Sequence, residues 1–114
     1  MQEEEMKAKQ RDEAREIHRV RLEKWIGHPQ RNHIRVLLCT LPDVLWQGHG
    51  IERVGMDKLM EPAAVRTAYR KFIAKFHPDK VSARGDAEQT YIATAVFAAI
   101  TEQWKIFAKE NGMK

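Results

Sequence analysis

The sequence predicts an all-α fold, on three observations. Apolar residues recur at helical spacing over long stretches, nothing alternates with the period of two that marks a strand, and glycine and proline cluster where those stretches end. The chain has 114 residues, with 20 Lys and Arg against 16 Asp and Glu, a net charge of +4. That length suits one domain with an appendage. No apolar run approaches the ~20 residues of a membrane span, and the charged opening lacks the apolar stretch of a secretory signal. A single cysteine, Cys39, can form neither an intramolecular disulfide nor a thiolate-rich zinc site. These features read as a soluble, cytoplasmic chain.

Residues 3–26 are rich in Glu, Lys and Arg, and Glu3/Lys7 and Glu5/Lys9 stand at the i,i+4 spacing that supports a solvated helix. Apolar residues come late, at Ile17, Val20, Leu22, Trp25 and Ile26. The first dozen residues are therefore expected to project and the end of the helix to pack. Gly27-His28-Pro29 stops it. A second helix starts near Asn32 with Ile34, Leu37, Leu38 and Leu41 on one stripe, which Val44 and Leu45 continue. Pro42 cannot donate to the Leu38 carbonyl, so a kink or break is expected there. Glycines 48, 50 and 55 mark residues 46–55 as a loop, and Met56–Met60 is read as a short helical turn.

Pro62 opens a third helix after Glu61, a mediocre cap. Val65, Ala68, Tyr69, Phe72, Ile73 and Phe76 give it a complete apolar stripe. Residues 77–85, with Pro78 and Gly85, are expected to form a loop. A fourth helix begins near the cap Asp86, turns Ala93, Val96, Phe97, Ile100, Trp104 and Phe107 inward, and ends at Asn111-Gly112. The domain division expected is a charged helical extension over 1–30 and a folded unit over 31–114.

Charge singles out one window. Residues 63–85 carry six basic side chains (Arg66, Arg70, Lys71, Lys75, Lys80, Arg84) against Asp79 alone, whereas the rest of the chain is nearly balanced. Arg66/Arg70 and Lys71/Lys75 are like charges at i,i+4, which cost a helix a few tenths of a kcal/mol each. An ordinary solvated face and an acidic partner both account for such a row. At its end stands Phe76-His77-Pro78-Asp79-Lys80. Proline fixes its own φ and forces His77 out of the helical region, so the chain turns there and presents His77 and Asp79 beside the cations.

Ala68-Tyr69-Arg70-Lys71 followed by Lys75-Phe76-His77-Pro78-Asp79-Lys80 resembles the second helix and signature loop of DnaJ-type J-domains, over about residues 31–111. Ile34-Arg35-Val36-Leu37-Leu38, Val44-Leu45-Trp46, the helix-opening Pro62, Tyr91-Ile92-Ala93, Val96-Phe97 and Trp104 resemble the auxilin branch, the clathrin-uncoating J-proteins that include the cyclin-G-associated-kinase type. The resemblance implies an antiparallel helical hairpin (helices II and III), with a packed first helix and a long N-terminal helical extension. It also implies a co-chaperone that binds a DnaK-type cytosolic heat-shock ATPase, stimulates its ATP hydrolysis and performs no chemistry itself.

By that resemblance Arg66, Arg70, Lys71, Lys75 and Lys80 meet an acidic face of the chaperone. Asp79 meets a cation, Pro78 keeps the turn rigid and His77 hydrogen-bonds within it or to the chaperone. The client implied is the clathrin coat, held by segments upstream, so the chain is expected to be the C-terminal end of a longer protein acting at coated vesicles.

A general J-domain co-chaperone with another client is the main alternative, and a basic helical nucleic-acid binder a second. An exposed carboxylate beside the cations disfavours phosphate, so no nucleic acid is expected. His77 and Asp79 have no accompanying nucleophile or phosphate-binding glycine loop, so no catalytic residue is assigned. His28, His33 and His49 lack ligand spacing and are read as surface residues, with no metal or cofactor expected. Cys39 is read as a small core residue.

Overall fold

The computed structural model describes residues 15–27, 30–84 and 86–113, and within them every regular element is helical. Residues 15–26 form α1. Then follow α2 (Ile34–Thr40), 3-10 turns at Leu41–Asp43 and Met56–Leu59, α3 (Pro62–Phe76), α4 (Pro78–Arg84) and α5 (Ala87–Glu110). The expectation for residues 1–14 lies outside the described residues, as do those for His28 and Pro29.

Each boundary has a local cause. Gly27 ends α1 at φ +101°, a conformation that glycine alone adopts freely, and a Cβ there would meet the Gln30 carbonyl oxygen at 2.6 Å. Pro42 ends α2 as expected: the backbone tightens into the 3-10 turn that holds the proline in its first turn. Glu61 precedes α3 without a side-chain cap bond, and Pro62 takes the first position. Asp86 caps α5 by accepting from the Gln89 N–H at 2.8 Å. At the far end Gly112 turns left-handed (φ +64°), while Met113 N–H reaches back to the Ala108 carbonyl at 2.7 Å, a Schellman-type stop.

Residues 77–84 differ from expectation, and Gly85 lies outside the described residues. Pro78–Arg84 is a two-turn helix rather than a loop. Proline forbids continuation of α3, yet its fixed φ suits the first position of a new helix, so the chain turns at His77 (φ −56°, ψ 134°) and restarts at once. Val81 is then buried on the inner side of α4.

The core lies between α2, α3 and α5. Phe72, Phe76, Ile34, Leu37, Ile100 and Phe107 are almost fully buried. The α3 stripe faces inward as expected, with Ala68, Tyr69 and Ile73 half-buried against the core. Tyr69 stacks on Trp104 at 4.6 Å between centroids, fastening α3 to α5. The inward face of α5 is wider than its six expected residues, because Ile92, Ala99 and Ala108 are also buried.

The end of α1 packs, as expected. Leu22 and Trp25 join the same core, and Trp25 Nε1 donates to Thr40 Oγ1 at 2.9 Å. Ile17 and Val20 instead point outward, 67% and 41% exposed. Arg35 ties three elements together. It donates to the Leu59 and Met60 carbonyls at 2.6 and 2.9 Å, and its guanidinium lies 5.1 Å from the Phe107 ring centroid.

Candidate functional site

The basic row and the His77-Pro78-Asp79 turn meet at the corner between α3 and α4. His77 leaves α3 with its ring held edge-on to Phe97, at 4.9 Å between centroids. Its Nδ1 accepts from the Asp79 N–H at 3.2 Å, satisfying one of the orphan donors at the start of α4. An Nδ1 that accepts cannot also donate, so the neutral ring carries its proton on Nε2. Asp79 Oδ2 lies 3.8 Å from the same Nδ1, which has no proton to offer it. The Asp79 side chain is 94% exposed, and among the described residues no Lys or Arg pairs with it. Pro78 fixes the backbone between them. The result is a rigid corner with a bare carboxylate at its apex.

The cations fall into two sets. Arg70 and Lys71 are exposed on α3, with no hydrogen-bond partner among the described residues. The others are engaged with the protein itself. Lys75 Nζ donates to the Gly50 carbonyl at 2.7 Å and so ties the 46–55 loop to α3. Lys80 Nζ donates to the Ala74 carbonyl at 2.5 Å, and Arg84 Nη2 to the Lys75 carbonyl at 2.8 Å. These two side chains of α4 satisfy carbonyls that α3 leaves open at its end. Arg66 is half-buried, and its Nε is hidden from solvent with no protein partner among the described residues. Sequence spacing placed all these residues together. It could not show that their charges are differently employed, since the acceptors are backbone carbonyls brought near by the turn at His77.

No family model matches the chain. Curated relatives do. Over 93 residues it is 38% identical to auxilin-related protein 1 of Arabidopsis thaliana, covering 81% of this chain and 10% of that protein. A second relative from Arabidopsis thaliana, the J domain-containing protein required for chloroplast accumulation response 1, is 38% identical over 88 residues, covering 76% of this chain and 13% of its own length. The auxilin-like clathrin uncoating factor SWA2 of Saccharomyces cerevisiae (strain ATCC 204508 / S288c) is 33% identical over 82 residues, 68% of this chain and 12% of that protein. The chain thus spans about an eighth or less of the length of these relatives. It carries a J-domain of the auxilin-like kind.

Within this J-domain, three histidines share one device. His33 Nδ1 accepts from the Arg35 N–H at 3.1 Å, and His49 Nδ1 from the Ile51 N–H at 2.9 Å, each two residues on, as at His77. His33 and His49 are therefore turn-forming residues and not mere surface histidines. A fourth, His18, bridges helices: Nδ1 lies 3.1 Å from Arg21 Nη2, and Nε2 lies 2.5 Å from a Glu88 carboxylate oxygen on α5. Arg84 is the functional-site neighbour that the sequence reading left without a role. Its position nine residues after Lys75 gave no periodic signal, because the corner at His77 separates the helix of Lys75 from the helix of Arg84.

Proposed function

We propose that this J-domain acts as a co-chaperone: it binds a DnaK-type heat-shock ATPase, stimulates its ATP hydrolysis and directs it to clathrin coats. The observation that carries the reading is the bare Asp79 carboxylate, 94% exposed on a proline-fixed corner at the end of the helix that carries the exposed Arg70 and Lys71. Such a group offers an outside cation a charge-assisted bond at little ordering cost. Arg70 and Lys71 supply the matching attraction for an acidic surface. Lys75, Arg66 and Lys80 belong to the same proposed surface, although their heads are partly engaged within the fold. His77 holds the Asp79 backbone N–H and Pro78 limits the turn. Contact of this kind raises association rate and weakens with salt. The names of the auxilin-like relatives support the clathrin client, with the coat reached through other parts of the protein.

The test is single-turnover ATP hydrolysis by a cytosolic heat-shock ATPase with the wild-type chain, His77→Gln and Asp79→Asn. The wild type is expected to accelerate hydrolysis. Each variant should lose about tenfold or more of that effect, the scale of one charged hydrogen bond of about 1.5–3 kcal/mol. Full stimulation by Asp79→Asn, with helicity unchanged by circular dichroism, would overturn the proposal. The client is tested separately, by adding ATPase and chain to assembled clathrin coats and following release of coat protein by sedimentation.

A further inference from the structure

A groove of about 800 Å³ lies between α2, α3 and the segment 50–59, which ends in the 3-10 turn Met56–Leu59. Its volume falls within the ~300–1,000 Å³ of ligand clefts. Ile51, Val54 and Ala68 supply half-buried apolar side chains to its lining, and Lys58, Lys71 and Lys75 supply cations. Among the described residues, Glu52 is the one acid lining it. Lys58 and Lys71 have no partner among the described residues, and Lys75 spends one of its three donors on Gly50.

The wall opposite α3 has a second property. Among the described residues, the backbone groups of Glu52, Arg53 and Val54 make no backbone hydrogen bond. They offer an incoming chain the kind of pairing that an open strand edge offers. We infer that this groove binds an acidic peptide segment of a partner protein, with apolar side chains interleaved among carboxylates. The apolar side chains fill the trough, the carboxylates meet the three lysines, and the peptide backbone runs along residues 52–54. Charge decides the class of occupant, since three cations against one acid favour carboxylates over a basic or neutral segment. The inference does not rest on the co-chaperone reading.

The experiment is fluorescence anisotropy of the full chain with labelled Glu-Leu-Glu-Phe-Glu-Leu-Glu. Two control peptides carry Lys for every Glu, or Gly for every Leu and Phe. Saturable binding that is weakest for the basic control and clearly weaker for the Gly control is expected. Lys58→Glu should weaken binding about two- to fivefold and Glu52→Lys should tighten it by a similar factor, the scale of an exposed ion pair. Thr67→Trp, an exposed position on the lining of the groove, should block it.

Equal binding of the Gly control would reduce the site to a bare cationic face and overturn the inference. So would absence of binding, indifference to all three substitutions, or tighter Lys58-dependent binding of a single-stranded oligonucleotide. No chaperone is present in the assay, so failure here and failure of ATPase stimulation are separate results.

Discussion

His33, His49 and His77 each accept from a backbone N–H two residues ahead, and each therefore holds Nδ1 free of a proton. Long-range nitrogen–hydrogen NMR correlations should find all three rings in the Nε2–H tautomer, and a protonated Nδ1 at His77 would contradict the geometry of the corner. His77→Asn is expected to keep α4, since asparagine can accept from the same N–H as a cap, whereas His77→Ala removes the acceptor at a cost of about 1 kcal/mol. Arg84→Ala deletes bonds to the Lys75 and Lys80 carbonyls and should destabilise the α3–α4 corner by about 0.5–1 kcal/mol, measured by urea unfolding. Little of this was legible in the sequence. The tripeptide could be read because proline dictates the turn, but a histidine acting on its own backbone leaves no periodic trace.

At the scale of elements, periodicity carried α3 and α5 well, because both bury a stripe against a single layer and Val65, Phe72, Val96 and Ile100 fall where a 3.6-residue repeat puts them. It carried α4 badly. Two turns are too short to show a repeat, and Pro78 and Gly85 are equally at home in a loop. In α1 the apolar residues are split. Leu22 and Trp25 are buried, while Ile17 and Val20 stay outside, and the tertiary neighbours that choose between them are distant in sequence. Trp25→Ala should cost about 3–5 kcal/mol, as other large-to-small core changes do, and its effect on unfolding would show that α1 belongs to the cooperative unit.

The exposed face of α1 also has an acid-dependent element. Arg19 bridges Glu16 and Glu23, and its hydrogen bonds hold the Glu16 carboxyl below the usual carboxylate range. A depressed carboxyl adds stability above its unfolded value and loses it as pH falls through the lowered one. Fraying of α1 on acidification, followed by circular dichroism, should therefore diminish in the Glu16→Gln variant.

For the molecule as a whole, the basic excess divides into two sets. Lys75, Lys80 and Arg84 secure the corner and the 46–55 loop, while Arg70 and Lys71 remain directed outward. Association with an acidic partner should slow as salt rises, and Arg70→Glu with Lys71→Glu should lower the association rate about tenfold while leaving the unfolding midpoint nearly unchanged. Composition alone showed the excess; only the fold separates the two sets, since the division depends on which carbonyls are left open.

The three tryptophans happen to stand one at each junction. Trp25 sits where α1 meets α2, Trp46 packs edge-on against Phe76 beside the corner, and Trp104 stacks on Tyr69 between α3 and α5. Replacing two of them with phenylalanine at a time would leave a single emitter per junction. The protein thus contains its own set of optical probes, able to tell whether a partner loosens the appendage, the corner or the hairpin, and in what order.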